Sequence, residues 1–268
     1  MHLTRIHGAG NSFVVVENLH GELADSDLSA LAQQLCSKEP GYRADGLMVL
    51  TPAEGEADFG MLFYNADGSS GEMCGNGARC LARYGADHGL IEDAEHIRIL
   101  ATAGMVFGRR ITEEEYEIRL NDPTVIDLHR MADGTDCSYI ELGDPGIPHA
   151  VVCVEADEME ELDTLRERGR ALRHSSAFPK GANVTFTCKT GRTSVKAITF
   201  ERGVEDFTLA CGTGCGAAAV SLILKGIIPG DQLEIDMPGG HLSVHLIREG
   251  ERIKDIFLTG PTAYGSAV

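Results

Sequence analysis

The feature that most narrows the fold of this chain is an internal repetition at an offset of about 137 residues. Cys74-Gly75-Asn76-Gly77 lies 137 residues before Cys211-Gly212-Thr213-Gly214, and each block opens a segment that closes on a glycine, Gly89 or Gly226. The same offset aligns Gly46 with Asn183 and Asn65 with Arg202. At 136, Asn11 falls on Ile147 and Gly104 on Gly240; at 138, Leu120 and Pro123 fall on Leu258 and Pro261. Self-similarity that drifts by only one residue marks a duplicated unit, and each copy is then expected to be one supersecondary assembly.

Periodicity gives both copies a similar order of elements. The first is read as strand Phe13–Val16, helix Asp27–Cys36, strands Leu47–Leu50 and Asp58–Tyr64, a helix after Cys74, and strands Ile97–Ala101, Met105–Arg109 and Tyr116–Leu120. The second is read as strand Ala150–Val154, helix Glu160–Leu172, strands Val184–Thr187 and Ser194–Phe200, a helix after Cys211, and three closing strands. Strands outnumber helices in each, so the expected fold is α+β: two pseudo-symmetric lobes with mostly antiparallel sheets and an active site in the cleft between them. The expected division is residues 1–121 with the C-terminal 262–268, and 122–261. The segment after Cys211, Cys215-Gly-Ala-Ala-Ala-Val-Ser-Leu-Ile-Leu, is apolar nearly all round and is expected to be buried within its lobe.

That segment is also the longest nearly apolar tract, well short of the roughly 18 to 20 residues a membrane span needs. The start, MHLTRIHG, has no hydrophobic signal core, so the expected location is the cytoplasm. There the eight cysteines are expected to stay reduced. None forms a CxxC pair, and no metal is expected. A net charge of −18, from 41 acids and 23 bases, repels phosphate backbones and argues against nucleic acid as a partner. A second copy of the chain, in a homodimer, is the one macromolecular partner left open.

Cys74 and Cys211 each precede a glycine-spaced turn that becomes a helix. Each sulfur therefore lies near free N–H groups and the positive end of a helix dipole, which favour a thiolate. The glycines admit a ligand close to the backbone, and two such helix ends could grip a carboxylate with a thiol on either side. That suits α-proton removal from one face of an amino acid and return to the other. One helix end supplies at most about 2 kcal/mol, roughly 1.5 pKa units. Preorganised donors and a closed site must therefore do most of the work on the carbanion. Two nearby thiols are expected to share one negative charge. Cys36, Cys137, Cys153 and Cys188, and also Cys80 and Cys215 inside the motif helices, are read as packing.

The segments His-Gly-Ala-Gly-Asn-Ser-Phe (7–13), Asn-Ala-Asp-Gly (65–68), Met-Cys-Gly-Asn-Gly-Ala-Arg-Cys (73–80), Glu-Arg-Gly (201–203) and Ala-Cys-Gly-Thr-Gly (210–214) resemble those of diaminopimelate epimerase. The resemblance implies two lobes, each with a sheet wrapped around a central helix, and a cofactor-independent reaction. It makes Cys74 and Cys211 the two catalytic bases, with Gly75, Asn76, Gly212 and Thr213 on the reacting carboxylate. Asn11, Asn65, Asn183, Glu201 and Arg202 then fall at substrate-binding positions. Arg202 and the amides suit a distal carboxylate, and Glu201 suits an ammonium. Asn11 and Asn65 also suit turns.

Three positions depart from the family pattern. Ile147 stands where many members have asparagine before Pro-His, Gly46 where some carry glutamine, and Phe207 where an acid is frequent. Each is expected to make the distal neighbourhood less polar and to leave room for another side chain, such as imidazole. The leading expectation is interconversion of L,L- and meso-diaminopimelate, a small-molecule amino-acid substrate. The alternatives are a related two-thiol racemase acting on another amino acid such as histidine, a non-catalytic binding protein, and a thiol redox switch.

Overall fold

The protein is described from a computed structural model, covering residues 3–23, 25–36, 44–71 and 74–265. Met73 of the motif and the last three residues of the expected C-terminal segment lie outside the described residues. The chain forms two compact units. The first runs to Ile118 and takes back the chain from Gly260; the second runs from Arg119 to Thr259. The sequence reading put these junctions at 121 and 261.

The first unit opens with β1 (Leu3–Gly8) and β2 (Asn11–Glu17). They are joined by Ala9-Gly10 with φ of 49° and 85°, the left-handed pair that a two-residue hairpin needs. There follow α1 (Asp25–Leu35), β3 (Gly46–Thr51), β4 (Phe59–Asn65), the short β5 (Ser70–Gly71), α2 (Gly75–Asp87), β6 (Ile97–Ala101), β7 (Gly104–Arg110) and β8 (Glu115–Leu120). The returning β18 (Ala263–Tyr264) pairs with β1. The ladder runs β18-β1-β2-β3-β4-β6-β7-β8. Its pairings β2–β3 and β4–β6 are parallel and the rest antiparallel. Parallel neighbours need a crossover, and the two helices supply one each. Alternate residues of β2 and β3 (Val14, Val16, Leu47, Val49) pack on Leu28 and Ala32 of α1, while α2 packs on the opposite face.

The second unit repeats this plan. Its elements are β9 (Pro123–Ala132), β10 (Thr135–Leu142), β11 (Ile147–Cys153), α3 (Ala156–Glu160), α4 (Leu162–Arg173), β12 (Asn183–Lys189), β13 (Ser194–Glu201), β14 (Asp206–Thr208), α5 (Gly212–Leu224), β15 (Gln232–Met237), β16 (Gly240–Glu249) and β17 (Arg252–Pro261). The ladder β9-β10-β11-β12-β13-β15-β16-β17 again has two parallel pairings, β11–β12 and β13–β15. Ala150, Val152, Val184, Phe186 and Phe200 pack on Leu165 and Leu172 of α4. On the other face α5 is buried from Gly214 to Ile223, as its all-round apolarity required, and its one hydroxyl there, Ser221, bonds Ser138 at 2.7 Å.

The structure corrects the sequence reading in places. The helix expected at 160–172 is two helices broken at Glu161, because the Glu158 carboxylate reaches back 2.9 Å to the Glu155 N–H and starts α3 early. The short strands β5, β14 and β18 and the longer β1, β9 and β10 went unread. The last two are joined by Asp133-Gly134 with φ of 47° and 81°, a strong hairpin signal. Cys36, Cys137, Cys188, Cys80 and Cys215 are buried, but Cys153 is exposed at the end of β11, where its sulfur accepts from the Thr187 hydroxyl at 3.8 Å. Among the described residues no helix is long and apolar enough to cross a membrane.

Helix α4 crosses β13 at Gly169, where a Cβ would lie 2.8 Å from the Phe200 Cβ. Gly169→Ala is therefore expected to lower stability by about 1 to 3 kcal/mol in urea titrations, and an unchanged midpoint would refute that packing.

Candidate active site

The two motif helices are the same object built twice. Both span thirteen residues, and both end on a left-handed glycine, Gly89 or Gly226, with φ of 70°. Their N-caps are Cys74, with φ −129° and ψ 115°, and Cys211, with φ −128° and ψ 103°. The first helical bonds run to the cysteine carbonyls, from the N–H of Ala78 at 2.8 Å and of Cys215 at 3.0 Å. The N–H groups of Gly75, Asn76 and Gly77, and of Gly212, Thr213 and Gly214, precede those bonds and lack intrahelical acceptors. The second glycine of each block is there because the sheet comes too close for a side chain. A Cβ on Gly77 would lie 1.7 Å from Met48 Cε, and one on Gly214 2.9 and 3.0 Å from the hydroxyls of Thr185 and Thr199.

Ladder register carries the comparison into the sheets. Phe13, Gly46 and Asn65 lie side by side on β2, β3 and β4; His149, Asn183 and Glu201 lie side by side on β11, β12 and β13. Asn65 thus corresponds to Glu201, not to Arg202 as the constant offset had it. Both rows sit on the faces that carry the motif helices, because the neighbouring residues of each strand pack on α1 or α4 instead. One step further in, Met48 and Phe63 of the first unit are matched by Thr185 and Thr199 of the second, whose hydroxyls bond at 3.0 Å. The first unit presents an apolar floor to its cysteine, the second a polar one.

In the first unit the structure brings Cys74, Gly75, Asn76 and Asn11 together. The Asn76 amide donates to Asn11 Oδ1 at 2.6 Å and accepts from Arg79 Nη2 at 2.7 Å. Asn65 is held in its turn, with its amide 2.9 Å from Ser69 Oγ. In the second unit Cys211, Gly212, Thr213 and Glu201 come together. The Cys211 sulfur lies 3.6 Å from Thr213 Oγ1 and near enough to Glu201 to feel its charge. Asn183 accepts the backbone N–H of Arg202 at 2.8 Å, and the Arg202 guanidinium is turned to the Lys180 carbonyl at 3.0 Å.

The surroundings of Cys211 favour its protonated form. Burial and the neighbouring Glu201 carboxylate push the Cys211 thiol up, and outweigh the lowering by the Thr213 hydroxyl and the Gly214 N–H. Cys211 therefore rests protonated despite its helix N-terminus. Glu201 is itself raised by burial, partly opposed by the Thr208 hydroxyl. His149, which the sequence reading did not single out, is wholly buried, and neither ring nitrogen has a hydrogen-bond partner among the described residues. Its burial, with the Arg202 charge nearby, drives its pKa down to about 3, so the ring is neutral at pH 7. Its signal in the sequence is its place at the Phe13 position of the repeat.

The family model described as diaminopimelate epimerase matches residues 4–118 and 143–264. The chain belongs to the diaminopimelate epimerase family. Its sequence is 34% identical over 256 residues to the diaminopimelate epimerase of Chlorobaculum tepidum, covering 95% of each chain. It is 34% identical over 275 residues to that of Aquifex aeolicus, covering 97% of this chain and 94% of the relative. The fold is shared with a Bacillus anthracis phenazine biosynthesis protein of the PhzF family, at a TM-score of 0.73, 14% identity and coverage of 98% and 96%. It is also shared with a probable proline racemase from Agrobacterium radiobacter, at a TM-score of 0.67, 18% identity and coverage of 97% and 90%. Mixed α/β architecture with large sheets and few helices is thus common to epimerases and racemases of this fold.

Two of the three departures from the family pattern do not open space at the site. At Gly46 the room is already taken, since an added Cβ would lie 2.3 Å from the Phe63 ring. Phe207 faces the other way, edge-on to Phe200 at 6.0 Å and to Phe186 at 6.5 Å in the α4 core. Only Ile147, two residues before His149 on β11, shares the face of the Asn183 row.

His149 makes stability depend on pH. Its folded pKa, about 3, lies below the ordinary 6.5, so between those values the unfolded chain binds the extra proton and stability is lost as pH falls. The loss expected from this group reaches about 3 kcal/mol by pH 4. Urea midpoints of His149→Gln should fall less steeply over that window than those of the parent; parallel curves would exclude a neutral buried ring.

Proposed function

We propose that the chain is a cofactor-independent epimerase that interconverts L,L- and meso-diaminopimelate, with Cys74 and Cys211 serving opposite faces of the α-carbon. The observation that carries this reading is the matched pair of N-cap cysteines, alike in backbone geometry and each beside N–H groups that lack intrahelical acceptors, in a chain of this family. Inversion without a cofactor needs a base on one face and an acid on the other. Cys211, held protonated by burial and Glu201, is the acid of the first turnover, and Cys74, half-buried, is the base. In the reverse direction the roles exchange.

The N–H groups of Gly75, Asn76, Gly212 and Thr213 take the reacting carboxylate, where negative charge grows as the α-proton leaves. Removing one donor of this kind from a preorganised site typically costs about 10² to 10³ in rate. Neutral His149 offers a ring nitrogen to the substrate's amino group, and Glu201 takes an ammonium. The Arg202, Asn183, Asn65 and Asn11 side chains recognise the distal amino-acid end. Ile147 alone of the three departures favours a second reading, a related racemase with a less polar substrate end.

A substrate panel tests both. Without pyridoxal phosphate, diaminopimelate isomers should be turned over well ahead of histidine, hydroxyproline and glutamate; no diaminopimelate turnover would sink the first reading, and preferred turnover of histidine would establish the second. Cys74→Ser and Cys211→Ser should each lower kcat by about 10² to 10⁴, the usual range for loss of a proton-transfer group, and an unaffected variant would remove that cysteine from the reaction.

A further inference from the structure

The first turn of α2 has a weakness that the chemistry proposed for it cannot tolerate. Asn76 is flanked by Gly75 and Gly77, the residues that hold backbone conformation least. Yet this turn supplies the N–H groups assigned to the carboxylate. The structure shows what restrains it. Asn76 is 3% exposed, and its side chain sits in a run of four groups with every donor pointing the same way. Arg79 Nη2 donates to Asn76 Oδ1 at 2.7 Å, Asn76 Nδ2 donates to Asn11 Oδ1 at 2.6 Å, and Asn11 Nδ2 donates to Asp45 Oδ2 at a longer 3.4 Å. Asp45 is tied to the same hairpin end more firmly, accepting the Ser12 N–H at 2.7 Å and the Ser12 hydroxyl at 3.5 Å, and donating its own N–H to the Ser12 carbonyl at 2.8 Å.

We propose that Arg79 and Asp45 are positioning residues for the reaction, terminating a cation-to-anion relay through Asn76 and Asn11 that holds the N–H groups of Gly75 and Asn76 on the substrate's reacting carboxylate. Aligned bonds of this kind polarise one another, and a cation at the acceptor end of an amide makes its N–H a stronger donor. Arg79 reaches Asn76 from one helical turn on, wholly buried, a costly place for a guanidinium unless it is bonded into the structure. The relay is a device of one unit only. The position matching Arg79 in α5 is Gly216, where a Cβ would meet Leu120 at 2.8 Å, and the residue matching Asn76, Thr213, lies by the thiol instead. The two cysteines are thus served by different supports: a cation-anchored amide pair for Cys74, and hydroxyls with a carboxylate for Cys211.

This inference rests on the epimerase reading, so its test has one arm with substrate and one without. With diaminopimelate, Arg79→Met should lower kcat/KM by about 10²-fold, the scale of a misplaced reacting geometry, and Arg79→Lys should recover a large part of it. Asp45→Asn should lower it about tenfold. Because the two ends act through the same amides, the double variant should be little worse than Arg79→Met alone; losses that multiply would contradict a shared relay. Without substrate, the side-chain amide signals of Asn11 and Asn76 in ¹H–¹⁵N spectra report the relay directly. Asp45→Asn should shift the Asn76 amide, which it does not touch, and Arg79→Lys should shift the Asn11 amide. Unmoved signals in those variants overturn the proposal even if Arg79→Met does not fold. A parent protein inert toward diaminopimelate would count against the proposed function and leave the spectra to decide the relay.

Discussion

Everything at the candidate site depends on how closely a helix N-terminus can be brought to a sheet. Gly77 and Gly214 sit where any Cβ would run into the strand beneath, and that proximity holds the preceding cysteine as N-cap with the same φ and ψ in both units. An N-cap has half-helical freedom, so its side chain can stand over the free N–H groups rather than along the helix. A helix that is buried nearly throughout, as α2 and α5 are, cannot tilt to relax this geometry. The chemistry of each unit is therefore anchored on a helix that is itself largely buried.

Duplication supplied the geometry twice, and the side chains around it have since diverged. Phe13, Met48 and Phe63 form an apolar floor where the second unit has His149, Thr185 and Thr199. The consequence is electrostatic. Cys211 faces a raised carboxylate and keeps its proton, whereas the helix of Cys74 carries buried Arg79 one turn further on. For a reaction in which a proton leaves on one side and arrives on the other, unlike resting states suit the task better than two identical thiols that would compete for one charge.

Much of this was legible in the sequence. The repeat offset, the glycine spacing and the all-apolar run after Cys211 carry the equivalence of the two helices, because close approach and full burial leave marks on composition. What could not be read depends on facing and register. A constant offset matched Asn65 to Arg202, but its place in the ladder corresponds to that of Glu201, since the second unit has one residue fewer between β12 and β13 than the first has between β3 and β4. Phe207 looked like a change at the site until strand alternation turned it into the α4 core. Gly46 looked like empty space until Phe63 filled it. Which of the two thiols keeps its proton was not legible for a different reason: a helix dipole is local and modest, and at Cys211 burial beside a carboxylate exceeds it. His149 and Arg79 were given no role in the sequence reading because their importance lies in burial, which the sequence does not display.

The central claim is that two different groups handle the proton on the two faces. The most direct measurement follows α-deuterium incorporation in D2O during the first few per cent of turnover of L,L-diaminopimelate. Two bases predict deuterium in the epimerised product while the remaining substrate stays protiated, because the group that reprotonates the carbanion has exchanged with solvent and the departing proton sits on the other. Equal early labelling of substrate and product would mean that one group serves both faces, and would contradict the account.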